Sequence, residues 1–306
     1  MAPEVIDPSS VSGDVKGASI SVVIPARNAE ATLPTAVQSL LDQSLEDFEL
    51  VLVDHRSTDA TRSLMDQFAR QDFRVKIASC QGTFIEAVNL AWQISEGDLI
   101  ARMDADDFSH PNRLEQQRNF LSKHPDIACC GTQVKILKKD PQTGRNAPPD
   151  EGYADYEKWI NSVVSPDQIA AERFIDSPLP NPATMIRREF LEKFDGYQDE
   201  VWAEDYDLWL RLLHNDYSLG KVDEVLLDWF DGEGRATRTQ NRYSLENFQR
   251  AKAHYLGLLP QVKERGVAIC GAGPIGKKMA GFLMKEKVSI HTFFEVNERQ
   301  IGNQIG

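Results

Sequence analysis

No run in this 306-residue sequence approaches the roughly 18 consecutive apolar residues that a membrane-spanning helix needs. The opening stretch, MAPEVIDPSSVSGDVKGAS, has neither a basic start nor an apolar segment. Residues 1–18 therefore read as a disordered tail and not as a secretory leader. Positive charge is in short supply. Lys and Arg number 34 against 47 Asp and Glu, a formal net charge of −13. That balance disfavours nucleic acid or an anionic membrane as a partner, although a local basic patch still suits a phosphate. Cysteine is scarce as well. Cys80, Cys129, Cys130 and Cys270 match no zinc spacing, and the adjacent Cys129–Cys130 pair makes a poor disulfide framework. All four read as small buried apolar residues of a chain in a reducing cytoplasm. Any membrane association is expected to be peripheral, at the inner face. Internal repeats and low-complexity segments are absent.

What the sequence does have is alternation. Residues 19–24 (SISVVI), 48–53 (FELVLV), 75–78 and 98–103 (DLIARM) read as buried strands. Between them, residues 29–43, 59–69 and 83–95 carry helical spacing, with Leu33, Val37, Leu40 and Leu41 on one face of the first. Strand and helix in turn predict a doubly wound, mostly parallel α/β sheet. Ligands of such sheets lie beyond the carboxyl ends of the strands. The polar groups at 25–28, 54–59 and 104–107 all fall at such ends and converge on one crevice. Further on, residues 128–137 (ACCGTQVKIL) read as a strand leaving the sheet, and 138–152 as a polar loop rich in Pro and Gly. Residues 153–175 read as short helices, a helix is expected from about Tyr206, a strand over 219–229, a loop over 232–238 and a helix over 245–258.

The stretch ARMDADDFSHPNRLEQQ (residues 101–117) raises the first chemical question, because Asp104, Asp106 and Asp107 follow directly on an apolar strand. Clustered carboxylates repel, and a hard divalent cation taking oxygen ligands relieves that repulsion. A solvated acidic turn is the alternative. Asp107 also suits a cap for the helix that Pro111 opens, and Arg113 a countercharge to the acidic cluster.

Four motifs in this order resemble the family 2 glycosyltransferases of GT-A fold. SVVIPARNAEATL is similar to that family's opening strand and loop. VLVDHRSTDAT resembles its second signature, ISEGDLIARMDADD its approach to a D-x-D motif, and WAEDYDLWLRL its later E-D motif. The resemblance spans roughly residues 19–240. It implies a GT-A domain over 19–258 and a metal-dependent, inverting sugar transfer from a nucleotide-sugar donor, UDP-linked by expectation, to an acceptor hydroxyl. Mn²⁺ or Mg²⁺ is the implied cofactor. A glycan, a lipid-linked saccharide or a protein is the implied acceptor, with bacterial surface polysaccharide or glycoconjugate assembly as the setting.

Residue by residue, the resemblance gives Asp106 to the metal first. Asp104 supports it or contacts the ribose, and Asp107 stands behind them. It has Pro25, Ala26 and Arg27 line the nucleotide pocket, with Asn28 and Glu30 at the start of the next helix. A plain helix cap is the alternative for Asn28. Asp54 would bond the base. Here the chain departs from the family signature, since His55 stands for a second acidic residue and Arg56 for a glycine. His55 reads as a pocket-edge residue, Arg56 as a partner for a phosphate or a carboxylated sugar, or as a surface arginine. Asn89 and Arg102 are candidates for donor binding or for structural hydrogen bonds and ion pairs. Asp205 is the implied general base and Glu204 the neighbour that orients it, the alternative being two acids favoured by a helix dipole. Arg235 and Arg238 are placed to contact the diphosphate, whereas the histidine the family often has in that loop is missing from GEGRATR.

At residue 266 the pattern restarts as strand, glycine turn, helix and strand, with Gly271, Gly273 and Gly276 in CGAGPIG and Glu295 at the end of the next strand. Residues 264–306 thus read as a short Rossmann-like βαβ segment, truncated against a full dinucleotide domain. It serves either as a packing or homodimerising appendage or as a nucleotide site. Two rival functions follow from other classes. One is a non-catalytic nucleotide or nucleotide-sugar sensor acting through a partner. The other is an NAD-dependent oxidoreductase, which lacks a catalytic domain around the glycine loop.

Overall fold

The computed structural model describes residues 19–139, 145–232, 238, 240–297 and 301–302. The proposed tail at 1–18 and Arg235 lie outside the described residues. The chain divides into two units, residues 1–199 with 204–235, and residues 200–203 with 236–306.

The first unit is built on one large mixed sheet. Its parallel part runs β3 (Val75–Cys80), β2 (Glu49–His55), β1 (Ile20–Ala26) and β4 (Leu99–Arg102), in that spatial order. The sheet continues through β8 (Met185–Arg187), β6 (Ile127–Lys139) and β9 (Ser218–Phe230) to β5 (Phe108–Ser109). A short β7 (Asn146–Ala147) pairs with β6. β8 is antiparallel to both β4 and β6, whereas β6 and β9 are parallel.

Side chains alternate across a strand, so each strand feeds two layers. Ile20, Val22 and Ile24 of β1 pack with Leu33, Ala36, Val37 and Leu40 of α1 (Leu33–Leu41), Met65 of α2 (Thr61–Gln71), and Leu114 and Leu121 of α4 (Arg113–Lys123). Val23, between them, joins Val51, Val53 and Ile100 in a second cluster. That cluster includes Ile85, Val88, Ala91 and Trp92 of α3 (Phe84–Gln93), and Leu208, Trp209 and Leu212 of α8 (Glu204–His214). The remaining helices of this unit are α5 (Glu151–Ser162), α6 (Pro166–Glu172) and α7 (Arg188–Lys193). The doubly wound α/β architecture expected from the alternation is the one observed.

Two local expectations are corrected. β6 does not leave the sheet. It lies inside it between β8 and β9, and ten of its residues find partners on β9. The strand β8 was not foreseen, since three residues of MIR carry no readable period. Helix α8 also begins two residues earlier than Tyr206, which brings Glu204 and Asp205 into its first turn.

The second unit holds α9 (Leu245–Leu258), α10 (Pro260–Arg265), β10 (Val267–Cys270), α11 (Pro274–Lys285) and β11 (Ile290–Phe294). β10 and β11 pair in parallel, and Ala253, Phe282, Leu283 and Val288 form a small core. Cys270 is exposed, against expectation, because alternate residues of β10 face away from that core, whereas the other three cysteines are buried as expected. Among the described residues, no helix is long and apolar enough to cross a membrane.

Candidate active site

The ends of β2, β1 and β4 stand side by side, and the residues that follow them lie along one edge of the sheet. Pro25 and Ala26 are buried backbone at the end of β1, in register with Val53 and Asp54 of β2. Asp54 is nearly buried, and its Oδ1 accepts the Ser57 amide at 3.3 Å, an Asx turn that fixes the carboxylate. His55 is buried as well, with its Nε2 3.0 Å from the Gly82 carbonyl oxygen, so the ring serves the framework beneath the rim.

The loops after β1 and β2 are tied to each other. Asn28, at φ 50°, accepts the Thr58 amide on Oδ1 at 2.8 Å, while its own amide donates to Ser57 Oγ at 3.1 Å. The Glu30 carboxylate accepts the Ala60 amide at 2.8 Å, and the Glu30 amide donates to Asp59 at 3.1 Å. Asn28 and Glu30 thus work as clamps between loops. Arg27 and Arg56 stay exposed and make no hydrogen bond or ion pair with the described residues. Arg56 also sits at φ 57°, a left-handed conformation that costs an L-residue with a side chain and suits glycine.

The acidic loop follows β4. One carboxylate oxygen from each of Asp104, Asp106 and Asp107 lies within 4.8 Å of the others, the compact oxygen set a hard divalent cation takes. Two buried guanidiniums back this loop. Arg102 Nη2 meets Asp104 Oδ1 at 2.6 Å, and its Nη1 donates to the Met103 carbonyl. Burial alone would lower the Arg102 pKa, but Asp104, Tyr197 and Glu204 outweigh it and hold the group above its ordinary value. Arg113, fully buried, donates to the Arg102 carbonyl at 2.5 Å and to Gln117 Oε1 at 3.1 Å. Burial pulls its pKa down to about 10, opposed by Asp107, so it stays a cation at neutral pH. Asp107 is buried and accepts the Phe230 amide at 2.9 Å, which pins the loop to the end of β9.

Glu204 and Asp205 open α8, Glu204 buried and Asp205 partly so. Burial first, then the charge of Glu204, raises the Asp205 pKa well above the carboxylate range, with Asp104 adding to the rise. Asp104 acts electrostatically on Asp205, and Glu204 on Arg102. Arg211 steadies the approach to this helix by bridging Asp207 (2.7 Å) and the carbonyls of Phe194 and Gly196. Asn89 holds the same segment from the other side. It donates to the Tyr197 carbonyl at 2.8 Å and accepts the Tyr197 amide and Trp92 Nε1 on Oδ1. Gly196, at φ 62°, has to be glycine, since a Cβ there would lie 2.4 Å from that Asn89 oxygen.

Tyr197 and Asn181 escaped the sequence reading. Both are buried, and the tyrosine hydroxyl donates to Asn181 Oδ1 at 3.0 Å, beside Arg102, Asp205 and Glu204. Arg238 is exposed. In the second unit, Gly271 adopts φ 96°, and a Cβ on Gly276 would meet the Gly271 carbonyl oxygen at 2.0 Å, so the glycine turn packs closely on α11. Glu295 accepts the Ala272 amide of this turn at 2.8 Å and the Val296 and Asn297 amides at 2.8 and 3.0 Å.

The family model described as glycosyl transferase family 2 matches residues 21–194. The chain belongs to this family. The family 2 chain is 30% identical over 237 residues to EpsE of Bacillus subtilis (strain 168), covering 76% of this chain and 80% of EpsE. It is 25% identical over 251 residues to the UDP-Gal:alpha-D-GlcNAc-diphosphoundecaprenol beta-1,3-galactosyltransferase of Escherichia coli, covering 80% of this chain and 85% of that one. Its fold is similar to that of S. aureus TarS 1–349 in complex with UDP-GlcNAc, with a TM-score of 0.61 at 18% identity over 87% of this chain and 71% of that one. It is likewise similar to the mannosyltransferase PcManGT from Pyrobaculum calidifontis in complex with GDP-Man and Mn²⁺, with a TM-score of 0.54 at 16% identity over 87% and 69% of the two chains. The family 2 chain is a glycosyltransferase of GT-A fold, as the four motifs led one to expect.

Proposed function

We propose that this glycosyltransferase is metal-dependent and inverting, and that it moves a sugar from a nucleotide-linked donor, UDP the expected carrier, to an acceptor hydroxyl. The observation that carries the reading is the pair of carboxylate sets, with oxygens of Asp104, Asp106 and Asp107 within 4.8 Å of one another after β4 and Glu204 and Asp205 in the first turn of α8, where burial and Glu204 push the Asp205 pKa up. A carboxylate poised nearer neutrality than usual is a stronger proton acceptor, which is what a general base requires. Asp205 takes the proton of the acceptor hydroxyl while that oxygen attacks the anomeric carbon. The attack comes from the face opposite the departing diphosphate, so the configuration inverts. Glu204 holds the Asp205 pKa up and orients the base.

Asp104 and Asp106 fit a divalent cation, Mn²⁺ or Mg²⁺, because they offer hard oxygen donors within reach of one another. Bound there, such an ion stabilises the negative charge that develops on the leaving diphosphate. Arg102 keeps Asp104 in place through their 2.6 Å contact, and Asp107 fixes the loop through Phe230. Arg27 and Pro25 border the donor crevice. The GDP-Man and Mn²⁺ held by PcManGT support a nucleotide-sugar donor with a metal. The name of the E. coli galactosyltransferase supports a lipid-linked saccharide acceptor, in surface polysaccharide or glycoconjugate assembly.

Asp205→Asn keeps the shape of the side chain and removes the base. Transfer is expected to fall by about 10³-fold, with nucleotide affinity unchanged by calorimetry. Full transfer by this variant would remove Asp205 from the base role.

A further inference from the structure

We infer that Asn181 contacts the sugar being transferred: its side-chain amide, aligned by the Tyr197 hydroxyl, donates a hydrogen bond to a sugar oxygen. The inference rests on the proposed donor site and concerns its sugar end.

Sheet topology sets where that end lies. The carboxyl end of β4 runs into the acidic loop, and β8, antiparallel to β4, starts beside it. The Arg102 amide donates to the Thr184 carbonyl at 2.9 Å. The Thr184 amide and hydroxyl in turn donate to the Asn181 carbonyl at 3.1 and 2.8 Å. The single turn Asn181–Ala183 is therefore held at the carboxyl end of β4. Helix α8 grips the same segment. Trp209 Nε1 donates to the Leu179 carbonyl at 3.2 Å, and Tyr197 packs in one apolar cluster with Leu208 and Trp209. Asn181 thus stands on a segment tied both to the strand that feeds the acidic loop and to the helix that carries Glu204 and Asp205. In an inverting transfer the anomeric carbon lies between the leaving diphosphate and the acceptor hydroxyl at the base. On the proposed reading the sugar therefore occupies the ground between those two elements.

The polar groups of this segment leave one donor over. A buried chain of hydrogen bonds starts on α3. Asn89 Oδ1 accepts the Tyr197 amide at 3.0 Å and Trp92 Nε1 at 2.9 Å, while Asn89 Nδ2 donates to the Tyr197 carbonyl at 2.8 Å. The Tyr197 hydroxyl passes the chain on to Asn181 Oδ1 at 3.0 Å. There it stops. Asn181 is only 7% exposed, yet its Nδ2 makes no hydrogen bond with the described residues and is not sealed from solvent. A buried amide without a partner is costly, so an open one calls for an explanation.

The chain of bonds also sets the chemistry of what completes it. Tyr197 occupies Oδ1, so turning the amide over would forfeit that bond. The amide therefore presents N–H donors and no free acceptor at this position. Its partner has to be an oxygen lone pair, which sugar hydroxyls and acyl carbonyls supply. The neighbouring Thr184 hydroxyl is already spent on the Asn181 carbonyl.

The test is calorimetric titration, with Mn²⁺, of UDP, UDP-glucose, UDP-galactose, UDP-GlcNAc, GDP and GDP-mannose into the wild-type chain and into Asn181→Ala. The readout is the affinity of each sugar nucleotide relative to its parent diphosphate, which general damage to the site does not move. In Asn181→Ala this ratio should fall about 5- to 10-fold for a sugar nucleotide that the wild type binds, the scale of one hydrogen bond, while UDP and GDP keep their affinity. Thermal unfolding checks the fold. If the alanine variant does not fold, Asn181→Ser, which keeps a hydroxyl at the turn and lacks the amide donor, is read in the same way. An unchanged ratio in a folded variant overturns the inference. So does an equal loss for diphosphate and sugar nucleotide, which would make Asn181 a purely structural residue. A wild type that binds UDP or GDP but none of the sugar nucleotides overturns it too and leaves the nucleotide site standing. If neither diphosphate binds the wild type, the donor site itself falls, and the inference with it.

Discussion

Asp104–Asp107 and Glu204–Asp205 are built from the same carboxylate chemistry, and their surroundings give them opposite characters. The loop is backed by two buried cations, Arg102 and Arg113, and a backbone amide of Phe230 takes up Asp107. At the start of α8 the influences that raise the Asp205 pKa are burial, then Glu204 and Asp104. On the proposed reading, one cluster holds a divalent cation and the other takes up a proton. Environment and not residue type divides the labour between them.

The comparison can be broken on the loop side first. Arg113→Met removes one of the two buried countercharges together with its bonds to the Arg102 carbonyl and Gln117. Leaving Asp107 without that charge in a buried setting should cost about 3 kcal/mol of stability, read by urea unfolding, and should weaken Mn²⁺-dependent nucleotide binding in what remains folded. Stability equal to the wild type would mean that the loop does not depend on its countercharge.

A smaller effect sharpens the other side. The proposed base works deprotonated, so activity should fall as pH drops through the raised Asp205 pKa, above the usual value near 4. Glu204→Gln removes a like charge and should move this acid limb of kcat/KM to lower pH by about one unit. A limb that stays in place would assign it to another group.

Much of this was readable in the sequence. Strands β1, β2 and β4 are largely apolar and almost wholly buried runs, and helices α1 to α3 carry apolar faces, so the doubly wound half is legible from local pattern. The acidic residues were legible because motifs keep them close in the chain. β8 was not, for it is three residues long and owes its existence to β4 and β6 on either side. Nor was the inward place of β6, which pairing partners decide. The supports of the site were hidden for a related reason. Asn89 reaches Tyr197 across 108 residues and Tyr197 reaches Asn181 across 16, so no local spacing announces either bond. Asn89 stood out only as an asparagine inside a helix, where it needs a hydrogen bond to justify itself. Arg113 was read as a countercharge, whereas its complete burial and its bond to the Arg102 carbonyl needed the folded chain.

The most direct measurement of the division between the clusters is calorimetry of UDP binding, with and without Mn²⁺, in Asp106→Ala and Asp205→Asn. The account predicts that Asp106→Ala loses the Mn²⁺-dependent part of binding and that Asp205→Asn keeps it while losing transfer. Mn²⁺-dependent binding that survives Asp106→Ala, or disappears in Asp205→Asn, would contradict it.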